Sequence, residues 1–298
     1  MTVVGTGALA TLFAARLGAT VPVTVFGSWM EAIARFRRHG AILESGGRTI
    51  TATVRATARS EECRGGWLAF VLVKSGETGR AADAVRSFLG PNGLAVTLQN
   101  GLGNAETLAS ALGADRLLVG SAEVGATLVA PARARHGGGN LVRLATHPRT
   151  REVTELLSRA GFEVEIVPEA RQLLWETLLA TAPLLPLTAL LGLPNGEVLR
   201  RPSSRALLEA AAREVTATAR AGGVNLPDGD PADAVRRVAK ATSGNVSSML
   251  QDVRRGVRTE VDAINGAVVR EARRLGVAAP VNEALWLAVS ALDEGSSG

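Results

Sequence analysis

The stretch from Thr2 to Phe26, TVVGTGALATLFAARLGATVPVTVF, most narrows what this chain can become. It predicts a buried strand over Thr2, Val3 and Val4, a tight turn of Gly5, Thr6 and Gly7, a helix over about Ala8 to Leu17, and a second strand over Val21 to Phe26. That order is a βαβ unit. The turn spells G-x-G-x-x-A through Gly5, Gly7 and Ala10. Such a turn asks for a first residue tolerant of unusual backbone angles. It asks for a second without a side chain, so that backbone can approach a pyrophosphate, and a third small enough for helix and strand to touch. The helix then aims its unpaired N–H groups and positive dipole end at the phosphates. A dinucleotide site is therefore expected over Gly5, Thr6, Gly7, Ala8, Leu9 and Ala10.

At 298 residues and 46% hydrophobic content the chain has room for two domains. Its single cysteine, Cys63, rules out a disulfide framework and suits a reducing, cytoplasmic setting. Met1 leads straight into a strand without a basic leader, so no signal peptide is expected. The most apolar run, Leu178 to Leu193, contains Pro183 and Pro186 and falls short of the roughly 20 residues of a membrane span; a buried helix is expected and no membrane partner. The net charge of +5 comes from arginine, since Lys74 and Lys240 are the only lysines. This balance suits an anionic cofactor or substrate, while scattered arginines and 3% aromatic residues speak against nucleic acid. The arginine bias and the lack of tyrosine fit the coding composition of the source. His39, His136 and His147 are scattered and give no metal spacing, no G-x-S-x-G elbow occurs, and Cys63 is expected to be structural.

In chain order, the second strand ends in Gly27, Ser28 and Trp29, where an acidic residue would select NAD and an arginine NADP. Ser28 can hydrogen-bond a phosphate without neutralising it, which favours NADP and leaves NAD open. A helix is expected over Glu31 to Gly40 and short strands over Ala41 to Arg59, with a turn at Gly46-Gly47. Trp67 to Val73 is a continuous apolar run, as in a parallel strand buried on both faces. It ends at Lys74, which the carboxyl end of a strand places at a cofactor crevice. A helix over Gly79 to Phe88 leads to a strand over Leu94 to Leu98 and then to Gln99-Asn100-Gly101-Leu102-Gly103-Asn104, a polar rim suited to hold a carboxamide or a substrate. Strands over Leu117 to Val129 and Arg133 to His136, a helix over Arg151 to Ala160 and a strand over Phe162 to Val167 complete the α/β part. Beyond Pro168 the patterns are helical, so the chain is read as a Rossmann-type, doubly wound N-terminal domain (1–168) and an all-helical C-terminal domain (169–298). There, Ser203-Ser204 is expected to cap a helix reaching Ala221, and Asp230-Pro231 starts one reaching Ala241. Asn245 to Arg254 and Arg258 to Leu275 follow, with Glu260, Ile264, Ala267 and Val268 on one face, and Gly295 to Gly298 is expected to be a flexible end.

The segments GTGALATLFAARL, LVKSGET, TLQNGLGN, GATLVAPARARHGGGN, PLTALLGLPNGEVL and SSMLQDVRRGVRTEVDAING together resemble the ketopantoate reductase (2-dehydropantoate 2-reductase) family, over nearly the whole chain. The resemblance implies reduction of a short 2-oxo acid by NADPH in a cleft between the two domains, a place in pantothenate biosynthesis, and a homodimer. It implies that Gly5, Gly7 and Ala10 line the pyrophosphate and that Lys74 and Asn100 meet cofactor or substrate. It also implies that Asn195, Asn245, Ser248 and Glu260 form the substrate pocket. Asn and Ser can hold a carboxylate and a hydroxyl, and Glu260 can orient a hydroxyl or an ammonium.

The departures fall at the chemical end. The family writes W-x-K-L-x-x-N and then N-P-L-T-A-L, its lysine giving a proton to the nascent alkoxide. Here Thr177 stands at the lysine position, Thr181 at the first asparagine and Leu185 at the second. Glu77 stands where glutamine is usual, and Ser28 where an arginine is. The resemblance implies Thr177, Glu260 and Asn100 at the reacting carbonyl, with Thr181 beside the substrate. Lys240, five residues before Asn245, is expected on the surface rather than at the site, and Glu176 points about 100° away from Thr177 on a helix. Two functions follow: a reductase of this family, slow on ketopantoate or turned to a less polar 2-oxo acid, and a non-catalytic nucleotide-binding homologue.

Overall fold

In the computed structural model residues 1–295 are described; Gly295, expected in a flexible end, closes the last helix, and the other three tail residues lie outside the described ones. The chain divides into two units, Met1–Gln99 with Asn104–Ala170, and Asn100–Gly103 with Arg171–Gly298.

The first unit alternates strands and helices: β1 (Thr2–Val4), α1 (Ala8–Gly18), β2 (Thr24–Phe26), α2 (Met30–His39), β3 (Ala41–Ser45), β4 (Arg48–Ala52) and β5 (Arg55–Thr57) come first. Then follow β6 (Gly66–Val71), α3 (Thr78–Phe88), β7 (Leu89–Thr97), α4 (Asn104–Leu112), β8 (Leu117–Ala130), β9 (Arg133–Ala145), α5 (Thr150–Arg159) and β10 (Glu163–Val167). The strands lie in the order β4-β3-β9-β8-β7-β6-β1-β2-β5, with β10 beside β9. From β8 to β5 every pairing is parallel, whereas β3–β4 and β8–β9 are antiparallel. The apolar runs of β1 and β6 are buried as expected of central parallel strands, although Trp67 at the start of β6 is 41% exposed. Helix α1 packs onto this sheet through Phe13, whose ring stacks on Phe162 at 4.5 Å and lies 5.8 Å from Phe70. Burying such a side chain contributes roughly 1.5–3 kcal/mol.

Three strands differ from the sequence expectation, among them β7, which begins at Leu89 rather than Leu94 and so takes in Gly90 to Gly93. β2 begins at Thr24 rather than Val21, because Pro22 has no N–H to give the ladder. β9 does not stop at His136 but continues to Ala145 through three glycines. A Cβ on Gly139 would stand 2.2 Å from the Glu123 carbonyl oxygen, so Gly139 lets β9 close on β8.

The second unit is helical: α6 (Ala170–Leu191), α7 (Asn195–Arg200), α8 (Pro202–Ala221), α9 (Pro231–Ala241), α10 (Ser248–Arg254), α11 (Ala267–Leu275) and α12 (Pro280–Gly295). α6 is long and apolar enough to cross a membrane by length and composition, with 61% of its most apolar window buried; Trp175, Leu178 and Ala182 sit in the unit's core. Pro183 and Pro186 lie inside it without breaking it. Pro186 cannot donate to the Ala182 carbonyl four residues back, and Asn265 Nδ2 donates there instead, at 2.8 Å. Asn265 Nδ2 also donates to Asn282 Oδ1 at 3.1 Å, and Asn282 Nδ2 donates to Glu214 Oε2 at 2.8 Å.

Two helix starts differ from the sequence expectation, and one helix has no counterpart in it. α8 starts at Pro202, a good first-turn residue, while the Ser204 hydroxyl donates to the Val198 carbonyl instead of capping. The helix expected from Arg258 starts only at Val261 and opens into a π turn over Asp262–Gly266 before α11. α12 was not anticipated at all. Asp230 does cap α9, accepting from Ala232 N at 2.9 Å, and Gly276 ends α11 in the left-handed conformation.

Candidate functional site

The glycine bend is fixed by the strands on either side. Gly5 N donates to the Phe26 carbonyl at 2.8 Å, and Leu72 N donates to the Val4 carbonyl at 2.8 Å. Gly5 has φ +128°, and a Cβ there would stand 2.7 Å from the Leu72 carbonyl oxygen, so only glycine passes between β1 and β6. Gly7 is different: nothing lies within 4 Å of the place its Cβ would take. Packing does not demand a glycine there, and the space above the bend is open. Thr11 N donates to the Gly7 carbonyl, starting α1, which carries no side-chain cap and no acidic residue in its first turn. Gly5, Thr6, Gly7, Ala8, Leu9 and Ala10 thus form an uncapped, cation-like helix start under open space, which fits the diphosphate of a dinucleotide. Ser28 and Trp29 are exposed beyond β2.

At the carboxyl ends of β6 and β7 the expected polar rim is largely occupied in holding itself together. Gln99 is buried and donates to the Val73 carbonyl at 3.0 Å and to Thr78 Oγ1 at 2.8 Å. Thr78 Oγ1 donates to Asn104 Oδ1 at 2.7 Å, and Asn104 Nδ2 to Ser75 Oγ at 3.1 Å. These amides tie the two loops. Lys74, half-buried, precedes the 3-10 turn Ser75–Glu77.

Asn100 falls in the helical unit. Gly101, at φ +87°, comes so close to the π turn that a Cβ would stand 2.4 Å from the Ala263 carbonyl oxygen, and Leu102 N donates to that same oxygen at 2.9 Å. The N–H groups of Ala263 and Ile264 in turn donate to the Glu260 carbonyl. Asn100 and Glu260 are therefore brought to one π turn, a departure from helical geometry frequent at functional sites. Glu260 is half-buried, and its neighbour Thr259 is pinned by Asp293 of α12, with Thr259 Oγ1 donating to Asp293 Oδ2 at 2.8 Å. Sequence reasoning missed this support because α12 gave no motif.

On α6, Thr177 Oγ1 donates to the Leu173 carbonyl at 2.9 Å and Thr181 Oγ1 to the Thr177 carbonyl at 2.8 Å, each one turn back on its own helix. Leu185, at the position of the family's second asparagine, is packed in the core. Asn195 N donates to the Asn245 carbonyl at 3.0 Å and Asn195 Nδ2 to Thr242 Oγ1 at 2.9 Å, which joins α7 to the segment before α10. Asn195 is buried and its Oδ1 has no hydrogen-bond partner. Ser247 rather than Ser248 caps α10, accepting from Leu250 N at 3.1 Å, and it shares a 2.6 Å hydroxyl contact with Thr188; Ser248 itself is exposed. Lys240 is exposed, as expected.

Residues 1–149 match the family described as "Ketopantoate reductase PanE/ApbA", and residues 169–293 match "Ketopantoate reductase PanE/ApbA C terminal". A 2-dehydropantoate 2-reductase from Halobacterium salinarum is 33% identical over 284 residues, covering 93% of both chains. The crystal structure of a PanE/ApbA family ketopantoate reductase from Ralstonia eutropha JMP134 superposes with a TM-score of 0.91 at 30% identity, covering 100% of both chains. A D-mandelate dehydrogenase solved with NADH and anilino(oxo)acetate has the same fold, with a TM-score of 0.91 at 18% identity over 99% of both chains. The chain belongs to the ketopantoate reductase family.

Proposed function

We propose that this chain reduces a short 2-oxo acid, ketopantoate or a relative of it, to the 2-hydroxy acid, using NADPH in preference to NADH. The observation that carries this is the glycine bend: Gly5 is forced by packing, and Gly7 faces open space at an uncapped helix start. Gly5, Thr6, Gly7, Ala8, Leu9 and Ala10 would hold the diphosphate of a reduced nicotinamide dinucleotide, which when bound would supply the hydride for the carbonyl carbon while negative charge grows on the oxygen. The chain's own task is to hold the acid, orient the ketone and answer that charge. The buried, unpartnered Asn195 Oδ1 is suited to accept from a substrate hydroxyl, and Asn245 lies on the segment it holds. Glu260 and Asn100, gathered at the π turn, are suited to orient the reacting end.

The weak point is the proton. Thr177 takes the place of the family's lysine, and its hydroxyl must leave the Leu173 carbonyl before it can donate to a substrate. A threonine hydroxyl can stabilise an oxyanion but is too weak an acid to surrender its proton at neutral pH. Slow turnover, with water delivering the proton, is the expected behaviour. Purified protein given NADPH and a panel of 2-oxo acids should oxidise the nucleotide. A panel that yields no oxidation while NADPH binds overturns the enzymatic reading.

The backward-turned hydroxyls of Thr177 and Thr181 favour one alternative, a homologue that binds the nucleotide without catalysis. Thr177→Lys separates the two. Gain of ketopantoate reduction marks a reductase scaffold lacking one group, and no gain marks a pocket given over to binding.

A further inference from the structure

We propose that Arg59, two residues past the strand beside β2, is the cation that receives the 2′-phosphate of NADPH. The inference rests on the nucleotide site of the preceding reading. The end of β2 offers Gly27, Ser28 and Trp29, none of them charged. β5 is its parallel neighbour at the edge of the sheet, with Phe26 paired to Thr57 and Gly27 N donating to the Thr57 carbonyl at 3.2 Å. The two strands therefore end level, at the carboxyl edge where open α/β sheets bind ligands. Ser28 stands two residues past one member of that pair and Arg59 two residues past the other.

Arg59 is held in place and still available. Its N–H donates to Thr57 Oγ1 at 3.0 Å across the bend at Ala58, which ties Arg59, itself extended, to the end of β5. Its side chain is 68% exposed and meets Glu61 and Glu62 at 3.6 and 3.5 Å, long and solvated pairs that contribute little. The Glu61 carboxyl is held below the ordinary glutamate value first by its own backbone N–H and less by Arg59. Arg37, the other arginine bonded to β5, is engaged: its Nε donates to the Ala56 carbonyl at 2.7 Å. A dianionic phosphate beside the Ser28 hydroxyl offers Arg59 a bidentate partner stronger than either carboxylate.

Calorimetric titration of the full chain with NADPH and with NADH tests this. Arg59→Ala should weaken NADPH about tenfold to hundredfold, the range for one charge-assisted contact, and leave NADH within about twofold. Arg59→Lys should keep part of the preference, and Ser28→Arg in the Arg59→Ala background should restore it from the neighbouring strand end. An NADPH-to-NADH affinity ratio that Arg59→Ala leaves unchanged overturns the assignment alone. A wild-type chain that binds neither nucleotide overturns the cofactor reading, and this assignment with it.

Discussion

At the scale of single residues, two glycines that look alike in sequence have opposite physical meanings. Gly101 is held at φ +87° against the Ala263 carbonyl, and Gly7 has nothing near the place of a side chain. Gly101→Ala should therefore cost about 1–3 kcal/mol of stability by strain, seen as a lowered denaturation midpoint. Gly7→Ala should leave that midpoint unchanged and instead reduce nucleotide affinity at least tenfold in calorimetry, because the new methyl occupies the approach of the diphosphate. A Gly7→Ala protein that binds nucleotide normally would remove the bend from the site. Thr177 is decided by chemistry rather than space. A lysine there should raise kcat on ketopantoate by about two to four orders of magnitude, the usual contribution of a general acid, with KM little changed. Steady-state rates with NADPH measure it, and a change confined to KM would mean that the position binds substrate without serving the proton.

At the scale of elements, α6 survives two internal prolines because another element repairs it. Asn265, from the π turn, satisfies the carbonyl that Pro186 abandons. Asn265→Ala should cost about 2–4 kcal/mol, since each buried acceptor left unsatisfied costs about 1–3 kcal/mol. In a Pro186→Ala background the restored backbone N–H can bond Ala182, and the cost of Asn265→Ala should fall by at least about 1 kcal/mol. Additive costs in urea denaturation would show that the two residues are uncoupled. The same pair explains what was legible beforehand. The βαβ opening is local: a three-residue strand, a glycine bend and an apolar helix follow one another, and the candidate nucleotide bend is legible from them. The repair of α6 joins residues 83 positions apart, and no local pattern announces it. The rim residues Gln99 and Asn104 look like ligand-binding amides for the same reason, because their partners Thr78 and Ser75 lie 21 and 29 positions away. Gly139 of β9 misleads in the same way, since its cause is the facing strand.

At the scale of the whole molecule, each unit has its own buried cores, one pair around the sheet and one among the helices, and the glycine bend belongs to the first. A nucleotide that binds only the folded chain stabilises it by RT ln(1 + [L]/Kd), about 2.7 kcal/mol at a hundredfold excess over Kd. Stabilisation alone does not say where the ligand sits, because any binding to the native state raises the midpoint. The location is carried by amide exchange. The N–H groups that begin α1 have no intrahelical acceptor and no capping side chain, so in the nucleotide-free chain they should exchange fast. Bound phosphate oxygens become their acceptors. Saturating NADPH should therefore slow exchange most at residues 7 to 10, and the buried amides of β1, already paired to β2 and β6, should change little. A raised midpoint without slowed exchange at that helix start would place the nucleotide elsewhere on the protein, and the glycines of the opening turn would then be only the means by which β1 passes β6.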